Sequence, residues 1–495
     1  MEDFLDSLGD GNDIFWQYFV IPLLVGVSLY ITLRSFGVQF RLLPHMFRTI
    51  RESPQKAADG KKGISAFQAF SISAAARVGT GNVVGVSIAI SAGGPGAVFW
   101  MWVMAILVAG ASFTESTLGQ LYKIREKQSF VGGPAYYMEK GLGQRWLGMI
   151  FAIILIFTFP LTFMMVQSNT FTGAVNNSID AAGGEAGNTS SIIITLLLVV
   201  LIAFVIFGGV RRIALVAQAA VPLMAALYLV VGIVIVAMNI DQVPTVFGDI
   251  VGSAFGVREV GGAAIGTAII MGVQRGMFSN EAGMGSVPNA AATASVSHPV
   301  KQGLTQTFGV YFDTLLVCSI TAFIVLVANP TFGDDEIAGD LTQIAMGDTL
   351  GSWSIHLLTV VLLFLTFTSC LGNYYYGESN LRFITKSKNA FTGFRIAILV
   401  VAFIGGVAAL DLVWGFADVT MGIMATVNLL VLIPLSAIAF KLLKDYESQL
   451  RQGIDPVFTR DRIPGLKGVE CWEPEGESTQ GSTTPESVDD SPKAK

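Results

Sequence analysis

The chain has 495 residues, of which 52% are hydrophobic and only 13% are charged, so its composition is far more apolar than that of a soluble globular protein. Length and composition together indicate a polytopic membrane protein with room for about eleven spans of roughly 20 residues each. The net charge of -6 indicates no particular partner and no nucleic acid, and the three cysteines and three histidines are too scattered to form a disulfide framework or a metal site.

Hydropathy predicts eleven transmembrane helices and therefore an all-α membrane protein. The acidic first thirteen residues lack the basic region of a signal peptide, so we interpret the apolar run after them as a span. Of the 30 Lys and Arg residues, all but Arg77, Arg258 and Arg275 fall in loops on one side, which predicts a cell-membrane protein with its N-terminus outside and its C-terminus in the cytoplasm. The predicted spans are 14–36, 65–93, 96–122, 147–172, 191–208, 212–238, 262–290, 303–329, 353–378, 394–412 and 415–441.

The segments between and beyond the spans suggest a simple domain layout. Residues 39–52 read as a short basic amphipathic helix on the inner membrane surface. Beyond about residue 447 the chain is polar and rich in Gly, Ser, Thr, Pro and Glu, which is typical of a disordered tail. The predicted layout is an extracellular N-terminus 1–13, an extra helix 14–36, a cytoplasmic loop 37–64 with an interfacial helix, inverted repeats 65–238 and 262–441, and a disordered cytoplasmic tail 447–495.

Two apolar spans carry glycine-rich polar stretches at mid-depth, at 77–82 and at 276–285. Hydrocarbon offers no water to unpaired backbone groups, so such stretches weaken a helix where weakness is most costly. An opened helix there can direct free carbonyls at a cation and free amides at a carboxylate. The alternative is a flexible helix interface packed through glycine.

Rare intramembrane charges suggest an internal repeat. Arg275 and Asp313 lie 198 residues after Arg77 and Glu115, so that Arg matches Arg and an acid matches an acid. The matching spans, two and seven, are offset by five spans, an odd number, which predicts that the second copy is inverted, as in many secondary transporters. Charges at this depth are expensive unless paired or wetted, so we predict that these four residues and Glu281 face the interior. We expect Glu115 and Asp313 to tie helices together or to the arginines; direct contact with a ligand is the alternative.

Two further spans carry polar side chains at depth. In span four, Gln167 can hydrogen-bond an ammonium or a carboxylate, and Phe163 lies one turn away and can wall an apolar pocket. In span nine, the hydroxyls of Thr368 and Ser369 and the carbonyl of Leu365 can form part of an oxygen cage for a monovalent cation. Helix-to-helix hydrogen bonds, or hydroxyls bonded back to their own helix, are the alternatives.

Six motifs in order resemble the alanine or glycine:cation symporters, also called sodium:alanine symporters. The resemblance covers about residues 15–440 and implies a LeuT-type fold of two inverted five-helix repeats (spans 2–6 and 7–11), with the first helix of each repeat discontinuous. The motifs are GTGN at 79–82, GGPGAVFWMW at 93–102, GGPAYYM at 132–138, VQSN at 166–169, FSNEAGMGSVP at 278–288 and YYYGE at 374–378.

The resemblance also implies site residues. This chain departs from much of the family at Asn373, where tryptophan is usual; a smaller and more polar residue in the pocket wall would make a longer polar substrate such as glutamine plausible. The predicted substrate-binding residues are Thr80, Gly81, Asn82, Phe163, Gln167, Phe278, Ser279 and Asn373. The predicted sodium ligands are Ala75, Val78, Leu365, Thr368 and Ser369.

From these features we predict a secondary active transporter, not an enzyme. It would import a small neutral amino acid, alanine or glycine or else glutamine, together with sodium, by alternating access and as a monomer in the lipid bilayer. The alternatives are a proton-coupled amino-acid symporter, with Glu281 or Glu115 as proton carrier, and a channel. The absence of HExxH and GxxxxGK[ST] motifs argues against an intramembrane protease and an ATP-driven pump.

Overall fold

The computed structural model describes Gly9 and residues 11–54, 63–126, 129–257, 265–329, 332–333 and 338–473. This part of the chain is helical except for one short hairpin, β1 Ile124–Glu126 and β2 Ser129–Val131, which pair antiparallel. The first eight residues of the predicted extracellular segment, Arg258, and the tail from 474 onward lie outside the described residues.

The helices of the first half follow the apolar runs, because a helix satisfies its own backbone hydrogen bonds without water. A π-helical turn, Trp16–Val20, leads into the first of them, and another, Phe157–Phe163, joins the helix that ends at Ile156 to the one that begins at Met164. The helices are α1 Ile21–Arg34, α2 Val38–Arg41, α3 Leu43–Thr49, α4 Ala66–Arg77, α5 Val84–Gly93, α6 Gly96–Leu121, α7 Pro134–Leu142, α8 Arg145–Ile156, α9 Met164–Ala181, α10 Asn188–Ile206 and α11 Gly209–Met238.

The second half is built in the same way. A π-helical stretch, Tyr311–Cys318, joins the helix that ends at Val310 to the one that begins at Ser319. The helices are α12 Val243–Ala254, α13 Ile265–Asn280, α14 Val287–Ala291, α15 Pro299–Val310, α16 Ser319–Val327, α17 Leu341–Leu350, α18 Trp353–Ile384, α19 Lys388–Val407 and α20 Leu410–Arg451.

Nine helices in the described residues are long and apolar enough to cross a membrane. They correspond to the predicted spans except 65–93 and 262–290, each of which is divided into two shorter helices, α4 with α5 and α13 with α14. The prediction of discontinuous helices at these two places therefore agrees with the structure. The total of eleven spans and the inverted relation of the repeats stay predictions.

The helix α6 runs through the centre of the molecule and packs against α13 and α15. Close approach needs small residues, and a Cβ on Gly119 would lie 2.7 Å from Pro288 Cβ at the start of α14. The helices at the rim, α10, α11 and α19, instead expose large apolar side chains, of which Phe204 is 71% exposed. A polar interior inside an apolar rim is the arrangement that a hydrocarbon surrounding favours.

The C-terminal part differs from the predicted disordered tail. The last helix continues to Arg451, and residues 452–473 fold back against the end of the helix bundle. Two aromatic side chains in this polar stretch, Phe458 and Trp472, are 2% and 6% exposed. Composition alone favoured disorder, but these two rings bury enough apolar surface against the bundle to hold the segment in place.

Candidate functional site

The first interruption lies where the sequence predicts it. Helix α4 ends at Arg77 and α5 begins at Val84, and a single 3₁₀ turn, Thr80–Asn82, lies between them. Glycine is needed before this turn because a Cβ on Gly79 would overlap Ser369 Oγ. The unwound segment therefore packs directly against α18.

This turn releases two backbone carbonyls from helical hydrogen bonding. The amide of Gly79 donates to Asn82 Oδ1 at 2.8 Å rather than to the carbonyl of Ala75, its partner in a continuous helix. The amide of Asn82 donates to Gly79 O at 3.2 Å, and the carbonyl of Val78 likewise loses its helical partner. Both of these predicted sodium ligands thus have lone pairs free to face a cation.

The side chain of Gln167 on α9 reaches the same turn. Its Oε1 accepts the amide of Thr80 at 3.2 Å. The hydroxyl of Thr80 is buried and has no hydrogen-bond partner among the described residues. Since an unpaired buried hydroxyl is unfavourable, this group is suited to a polar ligand or to water.

Asn82 and Ser279, which the sequence assigns to the two interrupted spans, meet at the carboxylate of Asp313. Asn82 Nδ2 donates to Asp313 Oδ1 at 2.6 Å and contacts Ser279 Oγ at 2.8 Å, and that hydroxyl donates to Asp313 Oδ2 at 2.7 Å. All three side chains are fully buried. Asp313 was predicted to tie helices together, and it does so between two predicted site residues.

The second interruption lies further along the chain than the polar run suggests. Residues 276–280 remain helical, so that Phe278 and Ser279 lie in the last turn of α13, and the chain unwinds only at 281–286. Glu281 has a φ of 56°, a left-handed conformation that is unfavourable for a residue with a Cβ. The break therefore begins several residues later than the start of the polar stretch at 276.

The carboxylate of Glu115 holds this second break open. It accepts the amides of Gly283 at 3.2 Å and Gly285 at 3.1 Å, and it also accepts Asn428 Nδ2 at 2.8 Å. Both glycines have positive φ, 83° and 82°, which only glycine adopts without strain. Glu115 thus replaces the carbonyl acceptors that a continuous helix would have provided for these two amides.

Aromatic rings wall one side of the site. The ring centroids of Phe163 and Phe278 are 4.4 Å apart, and those of Phe278 and Trp414 are 4.7 Å apart. A Cβ on Gly81 would lie 2.6 Å from Phe278 Cδ1, so the unwound segment lies directly on this wall. Sequence reasoning missed Trp414, whose place beside Phe278 depends on the long-range packing of α20.

The side chains predicted on α18 divide into two groups. Ser369 and Asn373 lie one turn apart, both are buried, and neither side chain has a hydrogen-bond partner among the described residues. Thr368 Oγ1 instead lies 2.8 Å from Phe364 O and 3.1 Å from Leu365 O in its own helix. The alternative given above, a hydroxyl bonded back to its own helix, therefore describes Thr368 in this conformation.

The buried charges face the interior, as predicted. Arg275 forms a bidentate ion pair with Asp418 on α20, at 2.9 and 2.6 Å. Arg77 Nη1 donates to Gln306 O at 3.1 Å. Sequence reasoning missed Asp418, although a lone carboxylate in an apolar run was a signal that a buried cation lay near it.

Comparison with known proteins places these features in a family. The model of the sodium:alanine symporter family matches residues 1–460. The chain is 48% identical to the amino-acid carrier protein AlsT of Bacillus subtilis, over 96% of this chain and 99% of that protein. It is 46% identical to the probable sodium/glutamine symporter GlnT of Bacillus subtilis, over 95% of this chain and 97% of that protein.

Among solved structures, the inward-facing conformation of Mhp1 is similar with a TM-score of 0.45 and 16% identity, over 77% of each chain. The match to the family model and to full-length relatives supports the symporter resemblance seen in the sequence, and a family of symporters is one of transporters rather than of enzymes. The chain therefore belongs to the sodium:alanine symporter family and is a membrane-embedded transporter.

Proposed function

We propose that this protein imports a small neutral amino acid together with sodium. Alanine or glycine is the proposed substrate, and glutamine is the alternative, because relatives carry names of amino-acid carriers and of a probable sodium/glutamine symporter. The observation that carries the proposal is the meeting of the two interrupted helices at Asn82, Ser279 and Asp313. One ligand could there contact the first interruption and the last turn of α13, just before the second.

The substrate would lie between the first interruption and the aromatic wall. The hydroxyl of Thr80 and the backbone of Gly81 and Asn82 would meet its carboxylate and amine, with Gln167 and Ser279 beside them. The rings of Phe163 and Phe278 would enclose its side chain. The unpaired amide of Asn373 would bind a polar group and would favour glutamine over alanine.

Sodium would bind between α4 and α18. The carbonyls of Ala75 and Val78 have lost their helical partners, and Ser369 Oγ lies against Gly79 with no partner of its own. Leu365 and Thr368 would complete an oxygen cage after the threonine hydroxyl turns away from its own helix. Binding there would fix the unwound segment before the substrate arrives, which links the two binding events.

Transport would follow from rocking of spans 2, 3, 7 and 8 against the rest of a 5+5 inverted repeat. The site would face outside and inside in turn, with the N-terminus outside, the C-terminus in the cytoplasm and one chain sufficient for function. The membrane potential contributes about 2.3 kcal/mol per charge per 100 mV. One sodium ion could thus concentrate a zwitterion roughly 50-fold at such a potential.

The test is counterflow uptake into liposomes with alanine, glycine, serine and glutamine, each with and without sodium. Sodium-dependent uptake of one of them is expected. Uptake that needs no sodium but follows an imposed pH gradient would instead favour proton coupling through Glu281 or Glu115.

A matched pair of variants on one helix tests the sodium site. Ser369→Ala should raise the sodium concentration for half-maximal uptake by about tenfold, since a hydroxyl ligand is worth roughly 1–2 kcal/mol. Ser354→Ala, which removes a buried hydroxyl bonded to Gly351 O at the far end of α18, should leave it unchanged. An unchanged sodium dependence in Ser369→Ala would remove this residue from the site.

A further inference from the structure

Residues 452–473, here called the strap, form a compact loop after α20. The amide of Arg460 donates to Trp472 O at 2.7 Å, which closes the loop. The rings of Phe458 and Trp472 are 5.7 Å apart and lie almost completely buried against the bundle. The strap is therefore a folded element with its own apolar anchors.

One side of the strap is bonded to the helices of the proposed moving group. The amide of Phe458 donates to Ser297 O at 2.9 Å, and Ser297 Oγ donates to Pro456 O at 2.8 Å, just before α15. The indole of Trp472 donates to Gln120 O at 3.3 Å, in the last turn of α6. Gln120 lies in predicted span 3, and Ser297 lies shortly before predicted span 8.

The other side of the strap is bonded to elements outside that group. Val457 exchanges two hydrogen bonds of 3.0 Å with the side chain of Gln449 on α20. Arg462 forms an ion pair of 2.8 Å with Asp445 on the same helix. Glu470 contacts the ammonium group of Lys140 on α7.

The strap is attached next to the place where the two interrupted spans come together. The amide of Ser295 donates to Ile64 O at 2.9 Å, which joins the segment after α14 to the start of α4. Gln120 Nε2 donates to Ala291 O at 2.6 Å and to Ala294 O at 3.1 Å. These bonds gather the ends of α4, α6 and α14 directly beside the strap attachments.

We propose that the strap is a latch that holds the cytoplasmic end of the transporter closed. It joins the helices that rock to helices that do not. The cytoplasmic end therefore opens only when the strap detaches from at least one of these two groups of helices. This inference rests on the proposed alternating access and orientation. It adds a controlling element, distant from the substrate, which sets how often the site opens inward.

The native thiol of Cys471 reports the position of the strap without any substitution. It is half-buried beside Trp472, whereas Cys318 and Cys370 are buried within helices. In inside-out vesicles, a membrane-impermeant maleimide should label Cys471 faster with sodium plus a mixture of alanine, glycine and glutamine than with sodium alone, because only the complete set of substrates drives turnover. Peptide mapping by mass spectrometry separates the three cysteines.

Equal labelling under the two conditions, in vesicles that show sodium-dependent uptake, would overturn the latch and leave the proposed function standing. Absence of sodium-dependent uptake of any of the three amino acids would overturn the proposed function itself. The two failures are therefore distinguishable in the same preparation.

A substitution in the strap tests whether the latch controls transport. Phe458→Ala removes the ring packed between Trp472 and His298. Labelling of Cys471 with sodium alone should rise about tenfold. The external amino-acid concentration for half-maximal uptake should rise several-fold, because the outward-facing state is less populated.

Phe458→Leu, which retains an apolar side chain, is the matched control and should resemble the wild type in both measurements. Size-exclusion chromatography confirms that each variant is folded. Unchanged labelling of Cys471 in Phe458→Ala would overturn the proposal, because the strap would not have been released. Increased labelling with an unchanged half-saturating amino-acid concentration would also overturn it, because release of the strap would then not be coupled to transport.

Discussion

The side chain of Asn82 connects the first interruption to Ser279 in the last turn of α13 and to Asp313, and its removal is the sharpest test of the proposed site. Asn82→Ala deletes a charge-assisted hydrogen bond to Asp313 and leaves the buried amide of Gly79 without its acceptor. The first loss is worth about 1.5–3 kcal/mol and the second about 1–3 kcal/mol. Even the lower sum, about 2.5 kcal/mol, is roughly a 60-fold change in an equilibrium constant.

The assay is initial-rate uptake into liposomes across a range of sodium and amino-acid concentrations. Asn82→Ala should lose nearly all sodium-dependent uptake at concentrations that saturate the wild type, while size-exclusion chromatography still shows a folded protein. The matched control is Asn177→Ala, which removes a similar amide bonded to Gln343 at 3.1 Å outside the interruptions, and which should transport normally. Normal uptake by Asn82→Ala would refute the reasoning, because no binding role for this side chain would then remain.

Two further predictions concern stability, measured as the temperature at which half of the detergent-solubilised protein is lost from the size-exclusion peak. Asp418→Asn leaves the buried guanidinium of Arg275 without its counter-charge, which costs about 3–5 kcal/mol, so this temperature should fall; the double variant Arg275→Met with Asp418→Leu should regain most of it. Burial lowers the pKa of Lys123 to about 7, well below the value of about 10.4 in an unfolded chain. The unfolded chain therefore binds more protons between about pH 7 and 10, so stability should rise with pH across that window, and Lys123→Met should abolish the rise.

The sequence predicted the interruptions because their signals are local. Glycines and polar side chains such as Thr80 and Asn82 in the middle of an apolar run contradict a continuous helix wherever the rest of the chain lies. The signal that determines the position of the second break is not local. That position is set by Glu115, whose carboxylate accepts the amides of Gly283 and Gly285 from another helix.

The strap shows why composition alone does not predict which part of a polar segment is folded. The stretch from 447 onward is polar overall, and composition averages over the two aromatic residues that anchor part of it. Phe458 and Trp472 fix the segment because the bundle offers them a complementary surface formed by residues far away in sequence, including His298 and Gln120. Only the folded bundle reveals that complementarity.

The distribution of buried charge bears on which ion could accompany the substrate. Arg275 and Asp418 neutralise each other, so that pair adds little net charge to the core. By contrast, Arg77 lies close enough to attract three carboxylates, those of Glu115, Glu281 and Asp313.

One guanidinium cannot neutralise three ionised carboxylates, and the other partners of Asp313, such as Asn82, are neutral. The region between the two interruptions therefore carries an excess of negative charge or of bound protons. Uncompensated buried negative charge is costly, and either a bound proton or a monovalent cation would relieve it. In the proposed function either ion would compensate the same buried charge, so the dependence of uptake on sodium or on a pH gradient separates the two forms of coupling.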